Sequence, residues 1–212
     1  MQKAIFLDKD GTLIEDVPYN CDVSRIRLLP GAREGLRRLQ AAGYALIVVS
    51  NQPGVAHGFF SPEALDRVET TLRALLGDEG VRLDGFYYCP HHPDGRLADY
   101  ATMCDCRKPS PGLLVQAASD YGVDLQASWM VGDILHDVEA GRRAGCRTIL
   151  IDNGHETEWD SGVYRSPHAM AADVSSAADI ILACDGVTVT PDDGYSRHGD
   201  MMARSDGSSY GR

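Results

Sequence analysis

The sequence predicts an α/β fold: a Rossmann-like parallel sheet with helices on both faces. Three observations predict it. Strand-like apolar runs alternate with helix-like patterns along the chain, which calls for parallel strands joined by right-handed crossovers. The run "ALIVVSN" (45–51) is continuously apolar rather than alternating, as in a strand covered on both faces. Three strand-like runs end in polar residues, at Asp8-Lys9-Asp10, Ser50-Asn51-Gln52 and Gly132-Asp133. Ligands of such sheets bind at the carboxyl ends of strands.

The elements follow in order. "KAIFLD" (3–8) reads as a strand. "PGAREGLRRLQAAGY" (30–44) reads as a helix, opened by Pro30 and Gly31, with Leu36 and Leu39 on one face and Gly43 at its end. "SPEALDRVETTLRALLG" (61–77) is the clearest helix: Ser61 caps it, Pro62 fits its first turn, and Leu65, Val68, Leu72, Leu75 and Leu76 form one stripe before Gly77. "GFYYC" (85–89) is a short strand, and "SPGLLVQAASDYG" (110–122) repeats the Ser-Pro start and Gly stop of a helix. "SWMVGD" (128–133), a helix over about 134–144, and "RTILID" (147–152) follow. Positions 153–177 have no clean period and are expected to be loop, with "ADIIL" (178–182) as a last strand. Residues 1–184 then form one domain, and the Gly-, Asp- and Ser-rich stretch 185–212 is expected to be a disordered tail.

Composition narrows the function classes. The 212 residues suit one compact domain, and 43% hydrophobic residues supply a core. A net charge of −11 argues against nucleic acid or an anionic membrane as the main partner. No apolar run approaches the ~20 residues of a membrane span, and "AIFLD" begins too early for a basic-then-apolar leader. A cytoplasmic monomer acting on a small molecule is the expectation.

Three of the six cysteines crowd into positions 89–106. Cys89, His91, Cys104 and Cys106 offer three thiolates and an imidazole, a set that suits a closed structural Zn²⁺ site. Such a loop would hold the two residues that follow it, Arg107 and Lys108. His92 reads as a bystander, and Cys21, Cys146 and Cys184 as ordinary small apolar residues.

Asp8 and Asp10 leave an extended strand on the same side and repel unless a cation lies between them. Mg²⁺ suits the pair, because it takes hard oxygen ligands and bridges carboxylates to phosphate. Asp133 can complete that site from another strand end, and Asp137, four residues on, shares its helix face. With charge neutralised, one aspartate can attack phosphorus while the other manages protons. Gly11 permits a sharp turn, and the Thr12 hydroxyl is expected to hold it.

"DKDGTL", "VVSNQ", "RKPSPG" and "VGDILHD" resemble the four motifs of haloacid-dehalogenase-superfamily phosphatases. The short distance from Asp8 to Ser50 resembles the capless type. Within the superfamily, "CPHHPDGRLADYATMCDCRKP" closely resembles the heptose-1,7-bisphosphate 7-phosphatases, over about residues 4–150. The resemblance implies Asp8 as nucleophile, Asp10 as acid and base, and Ser50 and Lys108 stabilising the transferring phosphoryl. It implies Mg²⁺ on Asp8, Asp10 and Asp133. It implies sugar or phosphate contacts from Asp16, Tyr19, Asn51, Gln52, Pro53, His57 and Arg107. It also implies a phosphorylated heptose as substrate. Histidinol-phosphate phosphatases share the loop type and give an alternative substrate. A phospho-accepting signalling domain would use a similar aspartate, Mg²⁺ and lysine, but a base at Asp10 would shorten its signal.

The chain departs from the family at three positions. His57 stands where arginine is usual, Ile134 where lysine is usual, and Pro53 where serine is usual. The first two remove positive charge and leave the preferred sugar phosphate open.

Overall fold

The computed structural model describes residues 1–78 and 80–186. Of the tail expected over 185–212, residues 187–212 lie outside the described residues. The elements are β1 (Ala4–Leu7), α1 (Ala32–Ala41), β2 (Ala45–Asn51), α2 (Pro62–Gly77), β3 (Gly85–Cys89), α3 (Gly112–Tyr121), β4 (Trp129–Gly132), α4 (Leu135–Ala144), β5 (Arg147–Ile151), β6 (Ala169–Ala171) and α5 (Val174–Cys184).

The six strands are parallel, in the order β3-β2-β1-β4-β5-β6. Alternate residues of each central strand serve opposite faces. Ile5, Leu7, Leu46 and Val48 join the core under α1, α2 and α5. Ala4, Phe6, Ala45, Ile47 and Val49 join the core under α3 and α4. Both faces are covered, which is why β2 could be read as a continuous apolar run.

The strand order reverses between β1 and β4, and that reversal opens a crevice at their carboxyl ends. Leu7 pairs with Val131, and the Asp8 amide donates to the Val131 carbonyl at 2.9 Å. The residues just beyond, Asp8 and Gly132-Asp133, therefore leave the sheet together. Between β1 and β2 the chain holds a loop, a short 3-10 turn (Val23–Arg25) and α1. Between β3 and α3 stands the cysteine loop. Neither insertion is a large cap domain.

One expectation fails here. Residues 178–182 lie inside α5 rather than in a strand, and the stretch 153–177 contains β6 and the first turn of α5. Val174, Ala177, Ala178, Ile181 and Leu182 are all buried. They are spaced i, i+3, i+4, i+7, i+8, one helical stripe packed on the sheet. Asp173 caps the helix, its side chain accepting from the Ser176 amide at 2.7 Å. "ADIIL" taken alone shows too little of that period. Among the described residues no helix is long and apolar enough to cross a membrane.

Candidate active site

The turn after β1 sets the first wall of the crevice. The Leu13 and Ile14 amides both donate to the Lys9 carbonyl at 3.0 Å. Gly11 takes φ 77°. A Cβ there would lie 2.1 Å from Asp133 Oδ2 and 2.4 Å from His155 Nδ1, so both its conformation and its surroundings demand glycine. The Thr12 hydroxyl does not close the turn as expected. It donates to Asp133 Oδ1 at 3.1 Å and ties the first motif to the fourth.

Lys108 enters from the far side. Its Nζ lies 2.5 Å from Asp8 Oδ1 and 2.6 Å from Asp137 Oδ1, and donates to the Val49 carbonyl at 2.8 Å. Asn51 holds the lysine backbone by two bonds: its Nδ2 donates to the Lys108 carbonyl at 3.0 Å, and its Oδ1 accepts from the Lys108 amide at 2.9 Å. Asp8, Asp133, Asp137 and Lys108 are all buried.

Asp10 faces another way. Lys9 Nζ lies 2.5 Å from its Oδ1, and Gln52 Nε2 donates to its Oδ2 at 2.9 Å. Gln52 Nε2 also reaches Ser50 Oγ at 2.9 Å. The carboxylates whose oxygens gather within 4.8 Å of one another are Asp8, Asp133 and Asp137. Asp10 stands beside this group, with its side chain outside it.

The electrostatics match a site built for a cation. Burial pushes the Asp8 carboxyl well above the usual carboxylate range; Lys108 pulls it back, while Asp137, Asp133 and Asp10 push it further up. Burial and then Asp137 push Asp133 up to about 6, against the pull of His155 and Thr12. Burial would lower the Lys108 ammonium, but Asp137 and Asp8 outweigh it and hold the lysine protonated. Packed carboxylates that resist ionising fit a divalent ion with oxygen ligands.

A cleft of about 210 Å³ rises from this floor, lined by Asp8, Lys108, Asp133, Ile134 and His155, among others. A second part of about 310 Å³ shares Asp10, Asp16 and Asn51 with it and is walled by Tyr19, Gln52 and Pro53. These volumes suit a small molecule. Tyr19 sits at φ 54°, an uncommon backbone for a residue with a side chain. Its ring packs edge-on to Phe59, with centroids 4.7 Å apart. His57 and Arg107 line neither part of the cleft. The His57 ring lies 6.0 Å from Tyr19 and 4.9 Å from His92, a residue read as a bystander. Arg107 donates to the His91 carbonyl at 3.4 Å.

The cysteine loop closes on itself. Cys106 Sγ lies 2.9 Å from Cys89 Sγ and 3.3 Å from Cys104 Sγ, and Cys89 Sγ lies 3.5 Å from Cys104 Sγ. His91 Nδ1 lies 3.3 Å from Cys106 Sγ and 3.7 Å from Cys89 Sγ. Tetrahedral zinc with Zn–S bonds of ~2.3 Å sets its sulfurs ~3.8 Å apart, so the four atoms need only small shifts to hold Zn²⁺. Hydrogen bonding to Cys89 and burial push the Cys106 thiol well up. A bound cation would supply the charge that favours the thiolate.

Reading the sequence missed Lys9 and His155 as site residues. Lys9 was visible between the two aspartates, in the polar strand end, but was given no role. His155 lies in a stretch without periodicity, and no motif marks it.

A strand-end aspartate paired with a buried lysine, beside two further carboxylates at a topological switch point and with Asp10 two residues on, is the arrangement expected of HAD-like phosphatases. A family model described as HAD-hydrolase-like matches residues 105–177. The D-glycero-beta-D-manno-heptose-1,7-bisphosphate 7-phosphatase of Pasteurella multocida is 44% identical over 155 residues, covering 73% of this chain and 84% of that protein. The enzyme of the same name from Escherichia coli K12 is 41% identical over 152 residues, covering 71% and 80%. Among solved structures, D,D-heptose 1,7-bisphosphate phosphatase from B. bronchiseptica, complexed with magnesium and phosphate, superposes with a TM-score of 0.74 at 30% identity, covering 86% of this chain and 99% of that one. A HAD-like phosphatase from Mesorhizobium loti gives 0.76 at 33% identity, covering 90% and 89%. The chain belongs to the D-glycero-beta-D-manno-heptose-1,7-bisphosphate 7-phosphatase family.

Proposed function

We propose that the chain removes the 7-phosphate of D-glycero-D-manno-heptose 1,7-bisphosphate, giving heptose 1-phosphate and phosphate. The observation that carries this reading is the Asp8–Lys108 pair, 2.5 Å apart on the floor of a small-molecule cleft. The relatives' names support the sugar.

Asp8 attacks phosphorus. An aspartyl–phosphate bond forms as the bond to the sugar oxygen breaks, and Asp10 gives that oxygen a proton. Asp10 then takes a proton from a water that attacks the same phosphorus, and the acyl phosphate breaks to release phosphate and restore Asp8. Lys9 and Gln52 orient the Asp10 carboxyl for both transfers. Lys108 neutralises charge beside Asp8, and the Ser50 hydroxyl would donate to a phosphoryl oxygen. Asp8 and Asp133 would hold Mg²⁺, with Asp137 in the same group of carboxylates; the Asp10 side chain, expected as a third ligand, stands outside that group. When bound, the ion neutralises phosphoryl charge. Zn²⁺ on Cys89, His91, Cys104 and Cys106 would be structural, holding the loop that delivers Arg107 and Lys108. Asp16, Tyr19, Asn51, Gln52 and Pro53 wall the sugar. Arg107 and His57, which line neither part of the cleft, would meet a second phosphate only beyond its rim.

The test is a panel of sugar phosphates, including both anomers of the heptose bisphosphate and histidinol phosphate, ranked by kcat/KM. The heptose bisphosphate should lead. A monophosphate or histidinol phosphate at the head of the ranking would overturn the reading.

A further inference from the structure

The segment that follows β5 returns over the acid cluster and touches it at three consecutive points. Asn153 Nδ2 donates to the Gly11 carbonyl at 2.7 Å. His155 Nδ1 lies 2.6 Å from Asp133 Oδ2. Glu156 Oε2 accepts from the Leu135 amide, at the start of α4, at 2.5 Å. The Asn153 side chain also accepts from the His155 amide at 3.2 Å, which stiffens the segment. These three residues thus brace the turn carrying Asp8 and Asp10, the Asp133 carboxylate, and the helix that starts just after it.

The contact at Asp133 has a defined geometry. Thr12 donates to one carboxylate oxygen and His155 stands at hydrogen-bond distance from the other. Each carboxylate oxygen has two lone pairs. One donor per oxygen therefore fixes the rotation of the group and still leaves a lone pair on each for a cation. The packing is tight: a methyl group on Gly11 would lie 2.4 Å from His155 Nδ1. His155 also lines the cleft beside Asp8, Lys108 and Ile134. Ile134 offers no polar atom on that wall, so the imidazole is the polar side chain that the segment brings to it.

We propose that His155, carried by the 153–156 segment, is a positioning residue for Asp133: its Nδ1–H holds the carboxylate in the orientation that receives the divalent ion. This rests on the reading that Asp133 holds that ion. Hydrogen-bond partners of metal-ligating carboxylates typically contribute ~10–100-fold in metal affinity.

The test uses Mn²⁺ as the probe, its binding to the full zinc-loaded chain followed by electron paramagnetic resonance. Wild type is compared with Asp133→Asn, His155→Ala and His155→Asn. The asparagine amide nitrogen sits the same number of bonds from Cα as Nδ1, so it can restore the donor. Asp133→Asn should lose most Mn²⁺ affinity. His155→Ala should weaken it about tenfold or more, and His155→Asn should stay within about threefold of wild type. Melting temperatures measured without Mn²⁺ report folding separately, and a merely structural histidine would move these and leave the Mn²⁺ constants alone. If Asp133→Asn binds Mn²⁺ as wild type does, the underlying metal assignment fails. If Asp133→Asn is weak while His155→Ala is unchanged, or if the alanine and asparagine variants are equally weak, the role of His155 is overturned and the metal assignment stands.

Discussion

Lys108→Met separates the two jobs of the buried lysine. Methionine keeps much of the length and loses the charge. In the structure the ammonium is 2.5 Å from Asp8, 2.6 Å from Asp137 and 2.8 Å from the Val49 carbonyl, all out of water. Removing one partner of a buried pair costs about 3–5 kcal/mol. Asp8, already pushed toward its neutral form by burial, can take up a proton and limit that cost. In a chain of this size the melting temperature should fall by roughly 6–15 °C in Mg²⁺-free buffer. The chemical step loses a cation beside the nucleophile, so kcat should fall by about 10²–10³-fold. Mg²⁺ binding should move the opposite way. Unit charges ~5 Å apart at an effective dielectric of ~20 interact by ~3 kcal/mol. Even after a large discount for screening, relief of that repulsion should tighten Mg²⁺ binding about tenfold. The assays are steady-state hydrolysis of an aryl phosphate and Mg²⁺ titration calorimetry. A variant that keeps kcat within about tenfold of wild type refutes the role in chemistry. Unchanged or weaker Mg²⁺ binding refutes the electrostatic account.

Three further outcomes are expected. Asp8→Asn should abolish turnover and Asp10→Asn nearly abolish it, with a phosphorylated enzyme accumulating in the Asp10 variant on an activated ester; a substantial kcat in Asp8→Asn would rule out covalent catalysis by that residue. Cys106→Ser should lower the zinc content from about one ion per chain and lower the melting temperature, because ion binding and loop folding are linked; activity should fall through displaced Arg107 and Lys108, and zinc-free wild-type protein from zinc-replete cells would defeat the claim. Asp185 accepts from Lys3 at 2.7 Å, from Arg147 at 3.0 Å and from the Tyr44 hydroxyl, and although burial opposes them these bonds lower its carboxyl to about 2. A depressed carboxylate stabilises the fold above its unfolded pKa, and that stability is lost as pH falls from about 4 toward 2. Discounted for solvent screening at this partly exposed site, Asp185→Asn should therefore cost about 1 kcal/mol at pH 7 and less near pH 2, and an equal loss at both pH values in urea titrations would contradict the assignment.

The sequence was most legible where one physical signal dominated. β2 and α2 have the expected bounds, because an unbroken apolar run and a five-residue stripe bounded by Ser61-Pro62 and Gly77 leave little choice, although the Ser61 side chain makes no capping bond. The acid motif showed that Asp8 and Asp133 meet, since each ends a strand, but Asp137 rather than the Asp10 side chain completes the group. Other features depended on tertiary neighbours. Thr12 was expected to serve its own turn, but the parallel pairing of β1 with β4 puts Asp133 within its reach. α5 was mistaken for a strand because its apolar residues cluster late, and its stripe appears only once Val174 is included. His155 has no local signature. It is brought to the site by a loop whose anchors, Gly11 and Leu135, are distant in sequence.

The most direct test of the account is the position of the bond that breaks. D-glycero-D-manno-heptose 1,7-bisphosphate should be turned over with Mg²⁺ and followed by phosphorus NMR. The account predicts that the 7-phosphate signal is replaced by inorganic phosphate while the anomeric phosphate signal persists. Loss of the anomeric phosphate, or no release from either position by zinc-loaded, Mg²⁺-saturated protein, would contradict it.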